Sequence, residues 1–256
     1  MKRCKIAMIQ MPVVFDDINR NLRLAEQYII EAKSNSCDIA LLPECLDLGW
    51  SNANAYFNAQ TIPGASSDYF CNLARVHDIH IVVGLTEKSG VDTYNAALLI
   101  SDQGKILARH RKINILKDVE GFCSVGNSLS VTTTRFGKIG LAICADNLEE
   151  TSHLSEALAT MGADMILSPS AWAVPPDFDQ ERTPYGKEWL EPYSKLTTKY
   201  YIHIIAVSNV GMIPKGAWKD WLCIGNSIAM GPGGKLLAML PFGQDAEHIE
   251  YIEIDI

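Results

Sequence analysis

"GLAICADN", residues 140–147, is an apolar run that stops at a thiol, Cys144, and continues at once as Ala145, Asp146 and Asn147. Its length and its polar boundary fit a buried strand better than a helix. Cysteine packs as a small hydrophobe, so core filler is the plain meaning of such a residue. The acid and amide that follow suggest a second meaning, in which the strand delivers Cys144 to a cleft as a nucleophile. A nucleophilic thiol needs a base and an oxyanion donor, and these must come from elsewhere in the chain.

Working outward, runs of the same kind recur at "CKIAMIQ" (4–10), "DIALLPE" (38–44), "IHIVVGL" (79–85), "NAALLIS" (95–101), "KIGLAIC" (138–144), "ADMILSPS" (163–170), "YIHIIAVSN" (201–209) and "CIGNSIAM" (223–230). Each is short enough to be a buried strand. Amphipathic segments lie between several of them. In residues 18–34, Ile18, Leu22, Ala25, Ile29 and Ala32 fall on one helical face after the Asp16/Asp17 start signal. Residues 66–77, 152–161 and 188–200 read the same way. Strands alternating with helices predict an α/β protein. The tight-turn signals "SDQGK", "RFGK" and "GPGGK" add antiparallel hairpins, so the sheets are expected to be mixed. Residues 173–187 and 211–220 carry Pro, Gly and aromatics directly after strand-like runs, and are expected to line a pocket.

Bulk composition narrows the function classes. The 256 residues are 48% hydrophobic, which is enough to bury a large core. With 22 Lys and Arg against 30 Asp and Glu, the formal net charge of -8 argues against nucleic acid or an anionic membrane as a partner. Seven cysteines without paired spacing do not read as a disulfide framework and fit a reducing cytoplasm. No apolar stretch is long enough to predict a membrane span.

Three further positions invite chemistry. Glu44 ends an apolar run beside Pro43, where desolvation would raise its pKa toward that of a general base. Lys112 closes "ILARHRKIN", in which Arg109, His110 and Arg111 precede it, and a solvated basic face is the commoner meaning of such a run. Glu120 follows in "KDVEGFCSVGN" with no local distinction. His77 and His80 lack accompanying ligands at metal spacing, so no metal is expected. "GPGGK" lacks the hydroxyl residue and spacing of a phosphate loop.

Taken together, "LLPE" with Glu44, "HRKI" with Lys112 and "GLAICAD" with Cys144 resemble the Glu, Lys and Cys motifs of the nitrilase superfamily of carbon-nitrogen hydrolases, in that family's order. Sixty-eight positions separate Glu44 from Lys112 and 32 separate Lys112 from Cys144, spacings usual for the family. "GADMILSPSAW" (162–172), "AVSNVG" (206–211) and "GNSIAMGPGGKLLA" (225–238) are similar to its later segments, so the resemblance covers nearly the whole chain.

The resemblance implies a single domain over residues 1–256, folded as a four-layer α-β-β-α sandwich with mixed sheets. It also implies assembly as a homodimer or higher homo-oligomer through helices, and no cofactor. Cys144 would attack the substrate carbon, and Glu44 would act as base. Lys112 and the Ala145 N–H would stabilise the oxyanion, while Glu120 would hold the lysine in place. Ala145, Asp146, Asn147, Ser170 and Trp172 would contact a small-molecule substrate. Nitrile-cleaving members usually carry Trp-Glu after the cysteine, whereas amidases and carbamoyl hydrolases often carry an aromatic residue and then Asp. Asp146 therefore points to a small linear amide or N-carbamoyl substrate. The rival expectations are a nitrilase proper and a catalytically silent interaction module of the same fold.

Overall fold

The computed structural model describes residues 3–256. Its first sheet contains β1 (Arg3–Gln10), β2 (Ile39–Leu41), β3 (His80–Ser89), β4 (Asp92–Ile100), β5 (Ile106–Arg111) and the C-terminal β15 (His248–Asp255), in the order β15-β1-β2-β3-β4-β5. The second contains β6 (Val131–Thr134), β7 (Gly137–Leu141), β8 (Met165–Ser170), β10 (His203–Ser208), β13 (Ile228–Gly231) and β14 (Lys235–Met239), in the order β14-β13-β10-β8-β7-β6. A small third sheet joins β9 (Ala173–Val174), β11 (Val210–Met212) and β12 (Leu222–Ile224). The helices are α1 (Ile18–Ser34), α2 (Ala55–Asn58), α3 (Ala65–His77), α4 (Lys117–Glu120), α5 (Ser152–Thr160) and α6 (Lys187–Tyr200). Among the described residues no helix is long and apolar enough to cross a membrane.

Strand alternation builds the layers. Along β1, Cys4, Ile6 and Met8 pack toward the second sheet, while Ala7 and Ile9 pack toward α1 and α3. In β4, Ala97 and Leu99 take the first direction and Leu98 and Ile100 the second. The far face of the second sheet is covered by Leu158 of α5 and by Trp189, Tyr193 and Leu196 of α6. The result is the α-β-β-α sandwich expected from the sequence, with α1 starting as anticipated under the Asp17 side chain, which accepts from the Arg20 N–H. The three tight-turn signals do close hairpins, between β4 and β5, β6 and β7, and β13 and β14.

Two strand expectations need correction. "KIGLAIC" is a strand only to Leu141, and Cys144 sits in a 3-10 turn with φ +42°, outside the β region. "CIGNSIAM" is two strands, split where Gly225 and Asn226 adopt φ +61° and +59°. A side chain at Gly225 would collide with Gln10, whose amide bonds Pro241, Ala246 and Ser227, so the break is set by a contact distant in sequence.

Parallel strands β2, β7, β8 and β10 end on one side of the sandwich, and the loops leaving them carry the residues considered next. Such ends are where α/β proteins place their sites.

Candidate active site

Glu44 follows the end of β2, where the chain passes so close to β3 that a side chain at Gly84 would lie 2.6 Å from the Glu44 Cα. Glycine is therefore needed opposite Glu44. The Glu44 N–H donates to the Ser170 carbonyl at 3.2 Å, joining the first sheet to the end of β8 in the second.

Lys112 is placed by the alternation of β5. Arg109 and Arg111 turn outward and both pair with Glu87, whereas His110 and Lys112 turn inward and are buried. The basic run is thus an exposed Arg109, a half-buried Arg111 and two buried residues. The Lys112 ammonium donates to Glu44 Oε1 at 2.8 Å and to Glu120 Oε1 and Oε2 at 2.9 and 2.7 Å. Glu120 is held in turn by the Leu116 N–H at 3.1 Å. All three side chains are at most 1% exposed.

In a dry site burial and neighbouring charge move the titration of Glu44 and Lys112. Burial, reinforced by Glu120 and opposed by Lys112, leaves the Glu44 carboxyl pushed up to about 7. Burial alone would lower the Lys112 pKa, but the two carboxylates override it and hold the ammonium well above its ordinary value. Glu44 Oε2 is buried with no protein partner.

Cys144 completes the group. Its side chain is 3% exposed, and its Sγ lies 4.0 Å from the Ala171 carbonyl oxygen. Burial and the Glu44 charge push the thiol well above its usual range, with Lys112 pulling the other way. The resting sulfur therefore carries its proton. At φ +42° a residue with a Cβ is strained, and such strain persists only where surrounding contacts impose it.

Those contacts come from Asp146 and Asn147. The Asp146 carboxylate accepts from the Ile143, Ile113 and Asn114 N–H groups at 3.0, 3.0 and 2.7 Å and lies 2.8 Å from His110 Nε2. Burial would raise its pKa, yet the His110 contact and these donors hold it below the ordinary value. Asn147 donates to the Cys144 carbonyl and to Ser168 Oγ, and accepts from Ser155. Ser170 Oγ is occupied with Ser168. The polar atoms of Asp146, Asn147 and Ser170 are thus hydrogen-bonded within the protein, in the turn beneath Cys144 and at the neighbouring strand ends. Among the described residues the Ala145 N–H meets no protein acceptor. Trp172 is buried and stacks on Trp189 at 4.7 Å, with its Nε1 unpartnered.

The loops at 173–187 and 211–220 supply aromatic cover. Tyr185 meets the Trp172 ring and accepts from Trp189 Nε1, Phe178 packs edge-on against Tyr185, and Trp218 meets Trp50, whose ring lies 6.0 Å from the Lys112 Nζ. Among the described residues no group of three or more His, Cys, Asp or Glu is arranged to hold a metal.

A carbon-nitrogen hydrolase family model matches residues 5–256. The chain belongs to the carbon-nitrogen hydrolase family. The hydrolase is similar to the omega-amidase NIT2-A of Xenopus laevis, with 27% identity over 251 residues covering 93% of this chain and 84% of that one. It is similar also to a nitrilase of Pyrococcus abyssi, with 27% identity over 257 residues covering 98% and 90%. Among solved structures, Saccharomyces cerevisiae Nit3, a member of branch 10 of the nitrilase superfamily, superposes with a TM-score of 0.83 at 23% identity, covering 99% and 90% of the two chains. A double mutant of the amidase from Nesterenkonia sp. AN1 in complex with acrylamide gives 0.83 at 19% identity, covering 99% and 91%.

Two residues of the hydrolase's site escaped the sequence reading. Asn95 donates to Glu44 Oε1 at 2.6 Å and to Glu120 Oε1 at 2.9 Å. Its only signal is a polar residue opening an apolar run. His110 was absorbed into the basic run, although period-two alternation sets it on the same face as Lys112.

Proposed function

We propose that this hydrolase cleaves the C–N bond of a small linear amide or N-carbamoyl compound through an acyl-enzyme on Cys144. Glu44 and Lys112 complete the catalytic triad, and Glu120 holds the lysine. One observation carries the reading: Glu44, whose charge acts on the Cys144 thiol, is fully buried with one oxygen fixed by Lys112 and Asn95 and the other without a protein partner.

The steps follow from that arrangement. The unpartnered Glu44 oxygen takes the thiol proton as Sγ bonds to the carbonyl carbon. The oxyanion meets the Lys112 ammonium and the Ala145 N–H. Glu44 passes its proton to the amide nitrogen, the C–N bond breaks and the amine leaves. Water then gives a proton to Glu44 and attacks the thioester, releasing the acid and restoring the thiol. Support from similar proteins is of the same kind. The relatives include omega-amidases, and a mutant of the Nesterenkonia amidase carries the acetamide moiety of fluoroacetamide on its active-site cysteine. The readings of a single domain and of a homo-oligomer belong to the same proposal, supported by the family match over nearly the whole chain and by the outer layer of α5 and α6. Seven free cysteines support a reducing cytoplasm.

Glu44 must be ionised to take the proton. Because burial pushes it up to about 7, kcat/KM should fall as pH drops below that value, approaching about ten-fold per unit. Glu44→Gln should lower the rate by roughly 100- to 10,000-fold and abolish this limb. Intact-mass measurement of that variant across a panel of amides, carbamoyl amino acids and nitriles tests for an adduct on Cys144. Unchanged hydrolysis of a preformed thioester would remove Glu44 from deacylation.

The free Glu44 oxygen also bears on substrate class. A carboxamide can donate an N–H to it, whereas a nitrile cannot and leaves a buried acceptor unpaired at about 1–3 kcal/mol. Amides should therefore exceed matched nitriles by at least about ten-fold in kcat/KM, at roughly 1.4 kcal/mol per ten-fold. Nitriles ahead in that comparison would favour the nitrilase reading, and no turnover with either would favour the silent module.

A further inference from the structure

Asn95 on β4 touches both acids of the buried cluster. Its backbone carbonyl accepts from the Lys112 N–H at 2.8 Å, and its side-chain amide donates to Glu44 Oε1 at 2.6 Å and Glu120 Oε1 at 2.9 Å. Two carboxylate acceptors fix which amide atom faces them, since only the nitrogen donates. The amide oxygen is buried without a protein partner. An amide present for stability alone would normally have both ends paired. Here both donor hydrogens go to the acids and the other end is left open.

We propose that Asn95 is a positioning residue for the proton transfers of Glu44. It pins one carboxylate oxygen together with Lys112, so that the other alone receives the proton, and it ties Glu44 to Glu120 as one unit. The inference rests on the reading of Glu44 as the base.

The groups facing Glu44 are few. Lys112 comes from the end of β5, Glu120 from α4 and Cys144 from the turn after β7, with the thiols of Cys45, Cys123 and Cys223 within reach of its charge. Asn95 and Lys112 are the side chains that hydrogen-bond its carboxylate. A donated N–H favours the ionised carboxylate, so removing it raises the pH at which Glu44 gives up its proton. A residue that merely supports the fold would instead lower the rate alike at every pH.

The experiment measures kcat and KM across the acid limb for Asn95→Leu and Asn95→Asp, beside Glu44→Gln. The aspartate variant is isosteric, so it serves even if the leucine variant fails to fold. We expect the limb of Asn95→Leu to move to higher pH by about one unit, with about ten-fold lower kcat near neutrality, partial recovery at higher pH and a smaller change in KM. Asn95→Asp adds a carboxyl group to the cluster and should move the limb further. An unmoved limb in a folded Asn95 variant, with Glu44→Gln inactive, overturns the role of Asn95 and leaves Glu44 as base. A Glu44→Gln enzyme that keeps its rate and limb overturns the base assignment itself.

Discussion

Cys144→Ala is expected to lower kcat/KM on the true substrate by roughly 10,000-fold or more, the scale on which enzymes lose activity when a covalent nucleophile is removed. No neighbouring group can substitute. The other polar side chains beneath the turn, Asp146 and Asn147, are tied to protein donors and acceptors, and Glu44 is held by Lys112 and Asn95. The fold should survive. Alanine carries the same Cβ at φ +42° that cysteine does, so the strain of the turn is unchanged. The loss is one buried sulfur, worth on the order of 1 kcal/mol at a well-packed site. Thermal melting should therefore stay close to wild type while turnover vanishes. A folded variant keeping a tenth of the activity would rule out the acyl-enzyme.

The turn at Cys144 also marks where sequence reasoning reaches its limit. Apolar runs and helical faces depend on neighbours a few residues apart, and α1, α3, α5 and α6 lie close to where the periodicity set them. The order of Glu44, Lys112 and Cys144 was legible through its resemblance to a family. What was not legible depends on partners far along the chain. The partners of Asp146 sit at His110, Ile113 and Asn114, and their placement follows from how β5 leaves the first sheet. The strand expected to reach Cys144 stops at Leu141, and the Asp146 carboxylate that takes those bonds sits in the turn that follows. Asn95 could not be distinguished from any polar residue at a strand start until Glu44 and Glu120 stood on either side of its amide.

Lys112→Ala is expected to fail in two ways at once. Loss of an oxyanion donor should lower the rate by about 100-fold or more. Removing the ammonium also leaves Glu44 and Glu120 facing one another without exposure to water, and breaking a buried ion pair from one side costs about 3–5 kcal/mol. The second effect carries a pH signature. Without Lys112, which lowers it, the folded Glu44 carboxyl holds its proton to higher pH, while in the unfolded chain it ionises near its ordinary value. Well below that value Glu44 is protonated in both states and the deficit is smallest, leaving chiefly the lost packing of the lysine stem. As pH rises the folded state keeps the Glu44 proton that the unfolded one has lost, so stability falls until buried Glu44 ionises too. Arg111→Ala provides the control, since its buried partner Glu87 keeps Arg109 as a counter-charge and neither Glu44 nor Glu120 loses a partner. Urea melts of both variants at acid and neutral pH, with kcat/KM beside them, separate the effects. A Lys112→Ala deficit that is the same at both pH values would mean the two glutamates are not charged against this lysine. Equal losses of rate at positions 111 and 112 would reduce the basic run to a surface patch.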